Sequence, residues 1–232
     1  FQRLNETPPT TLEEWIRQCA RIRGAGYLPL AQGNRDLWPM GNFAAELLGQ
    51  KAGPAALREL FGRGTAIAPA QLKGLSSLEE LRTVGAFDFP GILGPGAIGG
   101  FGDIDAKVLF LTGKAAQHAV GSWFLADIVD AQRRQQLEFK VGFFPIPPAA
   151  GERDAMTAVT PGFLVNPATK NPQAAVQFIE LLLSRKYQAV FAKVGNLSLR
   201  RDAAEFTDQP LAKRLLETLA RTPVVVPAPD TG

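Results

Sequence analysis

The chain has 232 residues, 46% hydrophobic and 20% charged, with 25 Lys and Arg against 22 Asp and Glu and a net charge of +3. That balance excludes a disordered chain, which needs low hydrophobicity and high net charge, and three excess positive charges make no basic face for nucleic acid. One Cys and one His exclude an internal disulfide and a four-ligand zinc site.

Residues 11–24 read as an amphipathic helix. Glu13 and Glu14 sit in its first turn, Leu12, Trp15, Ile16, Cys19 and Ala20 recur at helical spacing, and Gly24 stops it. Residues 27–31 predict a short strand, with Pro29 at an edge or a strand start. A polar loop over 32–36 leads to a helix over 37–48, and 55–63 and 78–87 read as further helices. The glycine-rich stretch 91–102 reads as a flexible loop. Asp103 is expected to cap a helix that ends near Gly113. A strand over 115–120, a helix over 124–136 and strands over 139–144 and 158–165 follow. Asn171 caps a helix over 171–183, with Pro172 first and Ala175, Phe178, Ile179 and Leu182 on one face. Ser184 caps the next helix, whose Tyr187, Val190, Phe191 and Val194 are expected to point inward before Gly195 stops it. A last helix covers 208–221, and 223–232 carries no helix or long strand. Many helices around few short strands define an α/β chain dominated by helices. No apolar run is long enough to span a membrane. The start at Phe1, without Met or a leader, predicts a processed protein or a piece of a longer one.

The motifs that carry known chemistry are incomplete. Gly94, Gly96 and Gly99 match the spacing of a dinucleotide-binding turn, but 87–93 is a poor strand and no acidic residue follows at the right distance. Asp103 and Asp105 lack the glycine and distal glutamate of a calcium loop. A serine hydrolase would have to use His118 with Ser122 as nucleophile, yet no nucleophile-elbow motif surrounds Ser122. That pair is kept as the alternative reading. No catalytic residue, metal or cofactor is expected. Cys19 lies on an apolar stripe and reads as a buried thiol, as Trp15 reads as core.

Three other aromatic residues sit at junctions. Trp38 follows the polar run Gly33-Asn-Arg-Asp36, Trp123 follows Gly121-Ser122, and Phe163 follows Pro161-Gly162. An aromatic ring beside glycine and short polar groups suits a ligand cleft, since the ring stacks on an apolar face while amides and hydroxyls take polar ones. Arg35 and Asp36 add hydroxyl partners.

Several short segments, in order, resemble the extracellular solute-binding proteins of bacterial ABC importers, the sugar-binding type. They are Thr10-Thr-Leu-Glu-Glu-Trp15, Gly26-Tyr-Leu-Pro-Leu-Ala31, Trp38-Pro39, Gly113-Lys-Ala-Ala116, Gly121-Ser-Trp123, Val141-Gly-Phe-Phe-Pro145, the stretches 166–171 and 175–183, Tyr187-Gln188, Gly195-Asn-Leu197 and Arg200-Arg-Asp202. The resemblance covers roughly Pro8 to Pro229.

It implies two α/β lobes joined by a hinge, with solute bound between them. It aligns all of 1–232 with the helix-rich second lobe and its small sheet, the first lobe and signal sequence preceding Phe1 and the C-terminal end cut short. It implies a carbohydrate as solute, delivered outside the cytoplasm to the permease subunits of the importer. Contact with a membrane would come only through that permease or a lost anchor. The sites it implies are Trp38, Gly121, Ser122, Trp123, Gly162 and Phe163, to which residue chemistry adds Asp36.

Overall fold

Thr11 opens helix α1 (Leu12–Gly24): its side-chain oxygen accepts the Glu14 N–H at 3.2 Å, and the Glu14 carboxylate accepts the Thr10 N–H at 2.8 Å. The first of these bonds satisfies an amide that the first helical turn leaves without a partner, and the second pins the residue before the cap. The stripe read from the sequence is the buried face, with Leu12, Trp15, Cys19 and Ile22 covered. The computed structural model describes residues 1–53, 55–57, 59, 75–87, 101–152, 154–158, 162–222 and 224–227.

Strand β1 (Leu28–Ala31) follows and is buried along its whole length. Helices α2 (Trp38–Ala52), α3 (Ser76–Thr83) and α4 (Asp103–Leu111) intervene before β2 (Ala115–His118). The two strands pair in parallel, with Leu28 opposite Ala115, Leu30 opposite Gln117 and Ala31 opposite His118. Two later strands, β3 (Ala155–Ala158) and β4 (Val224–Pro227), form a second parallel pair in which Ala155 faces Val224 and Thr157 faces Val226. Helix α5 (Phe124–Arg133) precedes β3, and α6 (Pro172–Leu183), α7 (Arg185–Lys193) and α8 (Pro210–Arg221) come between β3 and β4.

The chain divides into two compact units. The first comprises Phe1–Val120, Phe144–Val159 and Arg221–Gly232; the second comprises Gly121–Phe143 and Thr160–Ala220. In the first, Trp15 is the centre of the core. Its ring meets Phe43 and Phe144 edge-on, with centroids 5.8 and 6.5 Å apart. Leu30, Leu47, Leu81 and Phe87 close the cluster. The Trp15 indole N–H donates to Gln117 Oε1 at 2.5 Å, so the one polar atom of a buried ring is satisfied. Gln117 Nε2 reaches Gln18 Oε1 at 3.4 Å, and Gln18 Nε2 donates to the Thr7 carbonyl at 2.8 Å. In this way the buried amides form a chain of partners instead of isolated costs.

In the second unit, Gln188 of α7 is the buried polar anchor. Its Oε1 accepts from the Leu199 N–H at 2.8 Å and the Ser198 hydroxyl at 3.1 Å, and its Nε2 donates to the Leu182 carbonyl at 2.9 Å. One amide thereby ties α6, α7 and the segment after them.

Several expectations are corrected. Residues 139–144 are irregular, and the strand expected over 158–165 is instead β3, with Gly162 to Val165 outside any strand. Gly102, not Asp103, holds the cap position of α4, and the Asp105 carboxylate accepts the Gly102 N–H at 2.9 Å. Ser184 stands at the cap of α7, but its hydroxyl donates to the Leu181 carbonyl at 2.6 Å; Asn171 caps α6 by position without a side-chain bond. The largest difference concerns α6 and α7. Tyr187, Val190, Phe191 and Val194 are exposed, and α6 buries no residue at all. Periodicity identifies an apolar stripe but does not supply the surface that covers it. Within 223–232, where no long strand is expected, the described residues hold the four-residue β4. The glycine-rich residues 91–100 and most of 55–63 lie outside the described residues.

Candidate functional site

In parallel α/β sheets, loops at the carboxyl ends of strands gather ligand-binding groups. In the first unit, the carboxyl end of β1 leads directly into the polar loop. Gln32 is 4% exposed. Asn34 and Arg35 both donate their N–H groups to the Phe101 carbonyl at 2.8 Å. Gly33 packs so closely that an added Cβ would lie 2.4 Å from the Gly102 carbonyl oxygen, which requires glycine there.

The predicted Asp36 is held by the scaffold. Its Oδ2 accepts the Asp103 N–H at 3.0 Å, at the start of α4, where a negative charge suits the helix dipole. Its other oxygen lies 3.8 Å from Arg35 Nε, and Arg35 also approaches Asp105 at 3.3 Å. Asp36 is thus engaged in fixing the loop to α4.

The residue that delivers Trp38 is Leu37. It has φ 62° and ψ −41°, and the Trp38 N–H bonds back to the Asp36 carbonyl at 2.7 Å. That is a γ-turn of the strained kind, rare for a residue with a side chain. Trp38 begins α2 half-buried, in contrast to Trp15 at 2% exposure.

At the end of β2, His118 Nδ1 donates to the Ala31 carbonyl at 2.8 Å, and its ring lies 6.2 Å from that of Phe110. In a catalytic triad the orienting partner of that nitrogen is a carboxylate; here it is the neighbouring strand's backbone.

In the second unit, Trp123 occupies the cap position of α5. Its indole covers Gly121 so tightly that a Cβ there would lie 2.1 Å from the ring. Gly121 is therefore the seat of Trp123, and the glycine–serine–tryptophan order read from the sequence has a steric cause. Gly121, Ser122 and Trp123 are all half-buried. The Gly121 and Ser122 carbonyls accept the Phe124 and Leu125 N–H groups at 3.1 Å, which starts the helix. Behind it, Gly195 lies against the first turn of α5: φ is +98°, and a Cβ would meet Ala126 Cα at 2.8 Å. Phe163 is 55% exposed, and Gly162 has open space where a side chain would project. A hollow of about 220 Å³ in the first unit, beside Glu13, Gln50, Lys51 and Glu152, contains none of the predicted residues.

Sequence reasoning passed over two side chains. The amide atoms of Gln32 and of Asn42 are buried without hydrogen-bond partners. The only sign of Gln32 in the sequence was its place in the polar loop immediately after β1.

The chain belongs to the bacterial extracellular solute-binding protein family, whose family model matches residues 1–189. A solved structure titled for xylan utilization by the thermophilic bacterium Caldanaerobius polysaccharolyticus superposes with a TM-score of 0.80 at 20% identity, covering 100% of this chain and 59% of that one. A chitin oligosaccharide binding protein gives 0.77 at 25% identity, over 97% and 56% of the two chains. The bacterial solute receptor AcbH, described as having an exclusive substrate preference for β-D-galactopyranose, gives 0.81 at 22% identity, over 100% and 57%. The chain therefore spans between 56% and 59% of the length of these structures. No curated protein sequence matches it. The helix-rich α/β fold with its small sheets is the fold of solute-binding proteins.

Proposed function

We propose that this chain is the second lobe of a two-lobed receptor that binds a mono- or oligosaccharide outside the cytoplasm. The receptor then hands the sugar to the permease subunits of an ABC importer. It works at the periplasm or the outer face of the cell membrane, and it binds without catalysis. Family membership supports solute binding, and the sugars named for similar structures support carbohydrate as the solute.

The observation that carries the reading is Trp123, a half-buried indole seated on Gly121 at a helix start. A flat ring fixed in place stacks on the apolar face of a pyranose with little loss of side-chain freedom. Ser122 beside it offers a hydroxyl. Trp38, held by the Leu37 turn, is a second stacking surface, and Gly162 with exposed Phe163 is a third contact region. Asp36 contributes by holding its loop, with any bond to solute hydroxyls in addition.

The test is calorimetric titration of the intact protein with galactose, raffinose, chitin oligosaccharides and xylan oligosaccharides. One of them binds, and Trp123→Ala weakens it by about 1–3 kcal/mol, the range for stacking on an aromatic side chain. Unchanged affinity removes Trp123 from the site; no binding by any of these sugars rejects the carbohydrate reading.

A further inference from the structure

Native proteins satisfy nearly all buried polar groups, so an orphan calls for a reason. Two carboxamides in the first unit are orphaned. Gln32 is 4% exposed, and neither its Nε2 nor its Oε1 meets a partner among the described residues. The Nδ2 and Oδ1 of Asn42 are likewise covered and unpaired. Among the described residues of this unit, the other buried amides, Gln18, Gln50 and Gln117, all hold partners. The orphans are therefore local.

Their placement is also local. Gln32 is the first residue past the carboxyl end of β1, and Asn42 stands one helical turn after Trp38 on α2. Residues four apart share a helix face. The strained turn at Leu37, which fixes Trp38, lies between the two amides in sequence. Strain and unpaired polar groups both lower stability, and both gather at sites kept for binding.

We propose that Gln32 and Asn42 are solute-binding residues that determine specificity, each hydrogen-bonding hydroxyl groups of the bound sugar. This rests on the carbohydrate reading above. The chemistry fits that class. A carboxamide offers two N–H donors and a carbonyl acceptor side by side. Two neighbouring sugar hydroxyls, one accepting and one donating, match that arrangement. Being neutral, the amides suit an uncharged solute. Their polar atoms are covered from bulk water, and bonds gained to sugar hydroxyls recover the cost of the unpaired state. Gln32 and Asn42 thus add to affinity because they are unsatisfied beforehand.

The experiment uses the intact protein and the variants Gln32→Met and Asn42→Leu, which keep shape and remove the polar atoms. The probes are galactose, raffinose, chitin oligosaccharides and xylan oligosaccharides, followed by monodeoxy forms of the sugar that binds. Each variant is expected to melt at the same temperature as the wild type or higher, and to bind roughly ten- to a hundredfold more weakly. The loss should shrink for the deoxy sugar that lacks the partner hydroxyl, a coupling that a purely structural role does not produce. A lowered melting temperature with unchanged affinity identifies a residue paired through internal water and overturns the proposal. If the wild type binds a sugar and both variants bind it equally, this assignment falls while the carbohydrate reading stands. If the wild type binds none of the sugars, both fall.

Discussion

Glu46 accepts two hydrogen bonds from a single residue: its Oε2 takes the Thr157 N–H at 3.2 Å and the Thr157 hydroxyl at 2.9 Å. The pair ties α2 to β3 inside the first unit. Burial pushes the Glu46 carboxyl up to about 7, opposed by the two Thr157 bonds and assisted by the nearby Asp154 charge. An unfolded chain returns the group to its ordinary 4.5. Between these values the folded chain keeps a proton that the unfolded chain has lost, so stability falls as pH rises through that window. The shift corresponds to about 3 kcal/mol. Thermal unfolding from pH 5 to 8 should show that decline, and Glu46→Gln should flatten it and raise the melting temperature at pH 8. A variant whose profile runs parallel to the wild type would remove Glu46 as the cause. Glu6 and Glu13, held below the usual carboxylate range by Arg21 and by backbone N–H bonds respectively, act only at lower pH, where their contribution is lost on acidification.

Gly195 makes a second prediction. With φ at +98° and Ala126 Cα 2.8 Å from any added Cβ, an alanine there is strained and overpacked at once. Gly195→Ala should cost about 1–3 kcal/mol in urea unfolding. Because α5 begins at the contact, Trp123 fluorescence should change too. Gly142→Ala and Gly162→Ala, whose Cβ atoms meet nothing within 4 Å, serve as controls and should stay within about 0.5 kcal/mol. Equal effects at all three positions would contradict the geometry.

Leu37 provides a third. It is 71% exposed, so its side chain contributes little packing, while its backbone sits in a region that favours glycine. Leu37→Gly should stabilise the chain by up to about 1 kcal/mol, the relief of strain less the added freedom of the unfolded glycine. Leu37→Val, branched at Cβ, should destabilise it. The measurement is chemical denaturation of both variants, and a glycine variant less stable than the wild type would show that the turn carries no strain.

Much of this architecture was legible in the residues. Leu12, Trp15 and Cys19 at helical spacing named the buried face of α1, because only that face meets a core. Gly24, Gly113 and Gly195 marked real helix ends. The place of Trp123 after Gly121 and Ser122, at a junction before a helix, is legible; that its ring folds back over position 121 is not. Other features depended on partners far along the chain. Whether Tyr187 and Phe191 are covered is decided by a second surface, which periodicity does not contain. Asp36 reads from its chemistry as a hydroxyl partner for the solute; its bond to the Asp103 N–H depends on α4, 67 residues away. The short β4 was hidden by its length and by the prolines around it. Gln32 and Asn42 were ordinary polar residues by composition; only the accounting of hydrogen bonds in three dimensions singles them out.

Cys19 carries a practical consequence. It is the sole thiol, it has no exposed surface, and burial pushes it up to about 12. A disulfide reagent at neutral pH reaches it only when α1 lifts away from Leu30, Phe43 and Leu81. Its labelling rate is therefore a built-in clock for local opening of that core, readable without an introduced probe, and any sugar that tightens the first unit should slow the clock.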